Sequence, residues 1–418
     1  MLSTMRFGCC ALLALSACYA PQVIGGAPCD PSLDSCPTGQ SCVATSGGNF
    51  CTGGGAATQV DAGHSGDAGP VKDPGCFGSG LLGSVCLARA PTAPVSLTSV
   101  TINTASVGAG NCSEIHAQVG GPSLCIVAGT TIRVVAGATV RATGANPLVL
   151  IAAQSITIDG GLDVSSGMAG SGAGTRSAAE CAVPGLDGLP GRMTNNNFYG
   201  GGGAAGGGAG GPGGAGGRGN VVPGKPGTIA ASRVLAGGCP GGRGGDGING
   251  GGGAFGGLGG GAIYLLAGDT IAIAGKINAS GGGGAGGTAG VDSSGGGGGG
   301  GAGGMIGLEA LHISVPGSLY DNGGGGGGGN GGSPADRGQP GADPTTVTAP
   351  APGGSGGGGG GGSGGSGSVA AQPGTAGQAS TNTNESGGGD GGGGAGTIRV
   401  FGVPAASLPA GSISPPPS

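Results

Sequence analysis

Between residues 94 and 167 apolar side chains alternate with small polar ones. PVSLTSVTI (94–102) sets Val95, Leu97, Val100 and Ile102 against Ser and Thr, and SLCIVAGTTIRVVAGATVRATG (123–144) and NPLVLIAAQSITIDGGLDVSSG (146–167) continue the pattern. A period of two, loaded with Ile, Val and Thr and punctuated by Gly, predicts short β-strands. A helix would need apolar residues three and four apart.

The last of these runs recurs. PLVLIAAQSITIDGGLDVSSG aligns with GAIYLLAGDTIAIAGKINASG (261–281) and, after a one-residue deletion, with GMIGLEALHISVPGSLYDNGG (304–324). Ile156, Ile271 and Ile313 correspond, as do Ile158, Ile273 and Val315, then Gly160, Gly275 and Gly317, then Leu162, Ile277 and Leu319. A truncated copy, GTIRVFGV (396–403), closes the series. Each unit offers two apolar strands with a Gly at the corner, and no single unit can bury its own apolar face. Stacked repeats can. The expected fold is all-β: an irregular right-handed parallel β-helix, or solenoid, over 76–405.

The units are separated by glycine-rich inserts at 167–260, 281–303 and 323–395. The 119 glycines and 28 prolines depart far from globular composition. Stretches such as 200–208 lack the strict third-residue Gly of collagen. Two states remain open for these inserts. Gly loses more entropy on ordering than any other residue, which favours disorder. Packed polyglycine-II strands, threefold and left-handed, would instead exchange backbone hydrogen bonds that only Gly permits.

The N-terminus carries an address. Met1–Cys18 reads MLSTMRFGCCALLALSAC, with Arg6 before a short apolar stretch, as in a secretory signal. Its end, Leu15-Ser16-Ala17-Cys18, resembles the bacterial lipobox, in which the cysteine is acylated and becomes the first mature residue. That divides the chain into a signal peptide (1–17), a lipidated tether (18–28), a small Cys-rich module (29–51), a flexible linker (52–75) that contains His64, the solenoid, and a Pro-rich tail (406–418). Lipid on Cys18 is the expected membrane attachment, at the outer membrane or cell surface.

Of 13 cysteines, ten remain after Cys9, Cys10 and Cys18 are set aside, an even number that suits disulfides in an exported chain. Cys29, Cys36, Cys42 and Cys51 form one cluster whose connectivity stays open, with zinc as a rival reading. Cys76 with Cys86, Cys112 with Cys125, and Cys181 with Cys239 are spaced as neighbours. The last pair would clasp an insert at its base.

Chemistry is sparse. Fourteen basic and 19 acidic residues, net −5, with lysines only at 72, 225 and 276, leave no basic patch for nucleic acid. Matches to GxGxxG carry no information at this glycine content, and Gly353-Gly354-Ser355-Gly356-Gly357 fits GxSxG without the strand and helix it requires. GGRGGDGIN (241–249) fits a calcium nonapeptide once, with Asp246 as its weak ligand candidate. Asp159, Asp163, Asp269 and Glu309 are spread over the units, and His116 and His312 have no evident nucleophile. The densest polar and aromatic cluster, Asn195, Asn196, Asn197, Phe198 and Tyr199, is the candidate ligand contact or a turn that caps a glycine bundle.

The layout of lipobox, Cys knot, linker and glycine-interrupted units resembles the glycine-rich surface lipoproteins of myxobacteria and related bacteria. The unit motif is also similar to repeats of large bacterial surface adhesins. The resemblance implies no known catalytic residues. The expected function is that of a non-catalytic, lipid-anchored structural or adhesin-like surface protein, without cofactor or metal, whose partners are the membrane and a polysaccharide or other cell-surface component. A carbohydrate-active β-helix enzyme and an ice- or mineral-binding face are the alternatives.

Overall fold

A computed structural model describes residues 75–418 apart from 169, 182–184, 229–232, 292, 371, 382–383 and 410–411. It also describes the backbone of a hairpin between Gln40–Thr45 and Gly48–Gly53. The chain divides into two compact units, 1–71 and 72–418. In the first, the antiparallel hairpin sets Cys42 opposite Cys51. The signal, Cys18, Cys29, Cys36 and His64 lie outside the described residues.

The second unit is all-β. Apart from two short antiparallel pairs and Glu114–His116, which pairs antiparallel with Leu124–Val134, its strands stack in three parallel rows, each row one strand per chain pass. In the first row, Cys125 pairs with Leu148, Leu148 with Ile263, Ile263 with Ile306, and Ile306 with Ile398. In the second, Ile132, Ile156, Ile271 and Ile313 stand in register. The third runs through Val100, Val140, Leu162, Ile277, Leu319 and Ile413. The columns read from the repeats (Ile156 with Ile271 and Ile313, Leu162 with Ile277 and Leu319) are therefore strand pairs. The Gly corners stack too, since a Cβ on Gly317 would meet the Gly275 carbonyl, and one on Gly275 the Gly160 carbonyl.

One pass escaped the repeat comparison. Residues 124–143 form a further pass of the stack, Leu124–Val134 followed by Thr139–Thr143. Its first corner is a residue shorter than the next, so the pairing shifts between Ala152 and Ser155. Residues 406–418, expected as a tail, supply Ile413–Ser414 to the third row, and Ser418 exchanges backbone hydrogen bonds with Ile398 and Val400.

Alternation sends one side chain of each pair inward. Ile132, Leu150, Ile156, Leu162, Leu265, Ile271, Ile277, Leu308 and Leu319 are among the buried residues of one continuous core. Each such side chain contributes roughly 1.5–3 kcal/mol by leaving water. The first row is buried on its outer side as well, which is why AIYLLA (262–267) shows no polar alternation. Val149, Ile151, Tyr264, Leu266 and Met305 pack there beneath Val85 and Leu87. The covering segment is closed by the Cys76–Cys86 disulfide, and Cys112–Cys125 ties the next approach to the sheet.

The described parts of the inserts are packed and hydrogen-bonded. Residues 295–303 make the pattern plain. Gly295, Gly298 and Gly301 donate to Thr288, Ala285 and Gly282; Gly296, Gly299 and Ala302 to Gly245, Gly242 and Cys239; Gly297, Gly300 and Gly303 to Gly388, Gly391 and Gly394. The same residues accept from Ala254, Gly257 and Gly260, from Gly324, Gly327 and Asn330, and from Gly207. Six neighbouring segments thus surround one chain, five of them met at every third residue and the sixth once, at Gly300. Cys181–Cys239, with Cα atoms 6.0 Å apart and 58 residues apart in sequence, closes a loop within the longest insert.

Glycine is required there by space. A Cβ on Gly298 would fall on the Phe255 carbonyl, one on Gly299 on the Ala205 carbonyl, and one on Gly300 on the Gly324 carbonyl, all well inside van der Waals contact. A Cβ on Gly161, by contrast, would stand 3.4 Å from the nearest atom, the Lys276 Cε. We expect Gly299→Ala to destabilise the protein by at least about 3 kcal/mol, at or beyond the upper end of overpacking costs, and Gly161→Ala by less than about 1 kcal/mol. Thermal unfolding followed by circular dichroism measures both; equal melting shifts would refute the close-packing account.

Candidate functional site

The residues singled out in the sequence do not converge. Met193–Thr194 and Asn197–Phe198 form a two-stranded hairpin, and Asn195 and Asn196 make its turn with φ of 51° and 61°. Asn tolerates this left-handed backbone better than other non-glycine residues, so two of the three asparagines are accounted for by the turn. Their side chains remain exposed. Tyr199 is half-buried, with the Arg192 guanidinium 6.0 Å from its ring centroid, and Arg192 reaches the Asn220 carbonyl. Asn384 donates to the Asn197 Oδ1 at 3.3 Å. This end of the bundle is an exposed polar surface around two half-buried aromatic rings, Phe198 and Tyr199.

Asp246 is engaged by protein groups. Arg243 contacts both its oxygens, at 2.6 and 3.1 Å, and the Gly253 amide donates to it at 2.9 Å. The hydrogen bond from Arg243 is the main cause that holds its carboxyl below the usual value. Among the described residues no group of three His, Cys, Asp or Glu could hold a metal.

The acids of the strand rows are each paired locally. Asp159 meets Arg133 at 2.7 Å, Asp163 meets Arg141 at 2.6 Å, and Asp269 meets His312 at 3.1 Å, all across neighbouring passes. His116 contacts Glu114 at 2.9 Å. Glu309 is buried and accepts from the Ser79 and Gly80 amides at 2.6 and 3.0 Å and from the Tyr264 hydroxyl at 2.7 Å. Burial is the first cause that raises the Tyr264 hydroxyl far above its ordinary value, with the Glu309 hydrogen bond adding to it. The dyad fastens the covering segment to the sheet beside an open cleft of about 360 Å³. Residues 353–357 lie in the glycine region, where a Cβ on Gly353 would strike the Gly364 carbonyl, and they form no strand-to-helix turn.

Two carboxyls that drew no attention in the sequence are fully buried among glycines. Asp321 accepts from the Gly304 amide and, at 2.9 Å, from the Thr397 amide. Asp390 accepts from the Ala204 amide on Oδ1, while its Oδ2 has no partner among the described residues. Desolvation raises both well above the ordinary value of 3.8, against the opposing pull of those amides. Asp390 is the lone acid in a run of glycines and Asp321 opens another, directly after the strand Ser318–Tyr320, and nothing in such a run distinguishes a buried site from a solvated one.

No protein family, characterised protein or solved structure matches this chain.

Asp390 sets a pH dependence whose sign is fixed. Its folded pKa lies above the unfolded one, so the folded state holds the extra proton between the two values, and stability falls as pH rises through that window. Below 3.8 the buried acid imposes no ionisation cost; above the folded value the cost is full. Asp390→Asn should therefore melt higher than the wild type at neutral pH, with the difference shrinking to nothing below that lower limit. A melting series across pH with a constant difference would contradict it.

Proposed function

We propose that this chain is an exported surface protein, anchored through lipid on Cys18, whose task is to hold out a rigid face, with no reaction of its own. The three in-register rows are read as a right-handed β-solenoid stem, in keeping with the strong right-handed preference of parallel crossovers. The inserts are read as a polyglycine-II-like bundle laid along it. The observation that carries the reading is the six-neighbour packing of residues 295–303. A chain held by backbone bonds on all sides gives a stiff body that needs no aromatic core.

The local pairing of the acids favours this reading over a carbohydrate-active enzyme, because glycoside hydrolysis needs two carboxyls flanking one bond. The lipobox, the disulfides and the likeness to glycine-rich surface lipoproteins of myxobacteria support export. The polar end around Asn195, Asn196, Asn197, Phe198 and Tyr199 is where we assign contact with a polysaccharide or another surface component.

Lipidation is tested by Cys18→Ala. The wild type should partition with the outer membrane, incorporate labelled palmitate and be cut by protease added to intact cells. The variant should lose the label and appear in the soluble fraction. A Cys18→Ala protein that stays membrane-bound, or a wild type shielded from protease in intact cells, would overturn the anchored-surface reading.

A further inference from the structure

One side of the glycine bundle carries large apolar side chains in the open. Val222, Leu186, Leu189, Phe255 and Leu258 are exposed, Phe255 to 74% and Leu189 to 53%. They sit on adjacent chains of a single layer. Leu186 and Leu189 donate to Lys225 and Val222, Gly188 to Arg243, Gly241 and Gly244 to Gly257 and Ala254, and Gly282 and Ala285 to Leu258 and Phe255. In each chain the outward residues recur at every third position: 222 and 225, 186 and 189, 243 and 246, 255 and 258. Between them Gly224 and Gly245 are buried and donate to Gly203 and Gly202 of the next layer, where segment 296–299 also bonds to this one, while Asp187 is exposed.

The face is braced as well as apolar. The Arg243 guanidinium lies 5.7 Å from the Phe255 ring centroid, is tied to Asp246, and has its backbone amide on the Asp187 carboxylate at 2.6 Å. Such bracing cuts the side-chain ordering cost of binding.

We propose that this layer is a self-association face, on which a second copy of the chain packs about a two-fold axis. The charges point to that occupant. Lys225 and Arg243 balance Asp187 and Asp246, with Arg243 already tied to Asp246 within the chain, so the face is neutral overall and sets no net charge against its own image. Nothing in it attracts an anionic membrane or an acidic polymer. A two-fold contact is self-complementary by construction, and ridges repeating at one interval can seat in the grooves of an identical layer.

The size suffices. Five chains roughly 4.8 Å apart, each contributing about seven residues at roughly 3.1 Å, give a patch of about 500 Å² per copy. Two copies bury about 1,000 Å², where specific interfaces begin. The expected dimer is therefore reversible.

Sedimentation velocity on the full chain carrying Cys18→Ser, which removes any association through lipid, tests this. The protein should pass from monomer to dimer as concentration rises from nanomolar to high micromolar. Phe255→Asp should weaken the dimer roughly tenfold or more while melting as the parent does, because the side chain is exposed. Leu189→Asp provides the same reading should Phe255→Asp fold poorly. Leu311→Asp, at a residue exposed to 65% in the corner between Met305–Glu309 and His312–Ser314, should leave the dimer intact. A parent that stays monomeric throughout overturns the proposal. So does a dimer insensitive to both layer variants, or one that Leu311→Asp disrupts equally.

Discussion

Everything in the glycine region depends on backbone amides and carbonyls of separate segments coming close enough to bond without a side chain between them. A hydrogen bond of this kind contributes only about 1 kcal/mol net, less than the entropy lost on ordering a glycine. The network survives by number and by direction. Along 295–303 three successive donors reach three different neighbours, so no segment can be removed without stripping partners from the others. Burial then makes the bonds obligatory, because an amide left unpaired inside would cost more than it ever gained.

Such a bundle has little to fix its own register, since one glycine resembles the next. The strand rows provide that. Each insert leaves and rejoins a row at a defined side chain, as between Leu162 and Ile263 or between Ile277 and Ile306, and the pairs beneath it allow no slip without turning apolar residues outward. Cys181–Cys239 adds a covalent fixed point within the longest insert. The few polar side chains inside the bundle act as further markers. Ser294 bonds Asn330, Ser414 bonds Asn322, and Asp321 holds amides from two segments.

The rows were legible in the sequence because their information is local. Alternation and the Gly corners align 156–162 with 271–277 and 313–319 by inspection. The pass at 124–143 was missed because its first corner is one residue shorter and its second two residues longer than those of the next pass, which breaks that alignment while leaving the stacking intact. The order of the inserts was not legible at all. Gly300 bonds Gly391, and Gly201 accepts from Gly388, partners remote in sequence and chemically identical to every alternative. The disulfide neighbours Cys76 and Cys86, Cys112 and Cys125, and Cys181 and Cys239 were readable from spacing. Asp246 matched a calcium motif, yet its partner, Arg243, stands inside the same nonapeptide.

Two periodicities meet in this chain, two residues in the rows and three in the bundle, and their meeting constrains how such a protein can change length. An arm of the bundle that gains or loses one residue rotates its outward positions inward and drives a side chain into a neighbouring carbonyl. A change of three residues preserves every contact and merely moves the tip. An out-and-back excursion grows cleanly in steps of three on each arm, six in all, while the strands at its base stay as they are. Length variation among related chains would then be counted in multiples of three residues, and the reach of the bundle could be adjusted without redesign of its foundation.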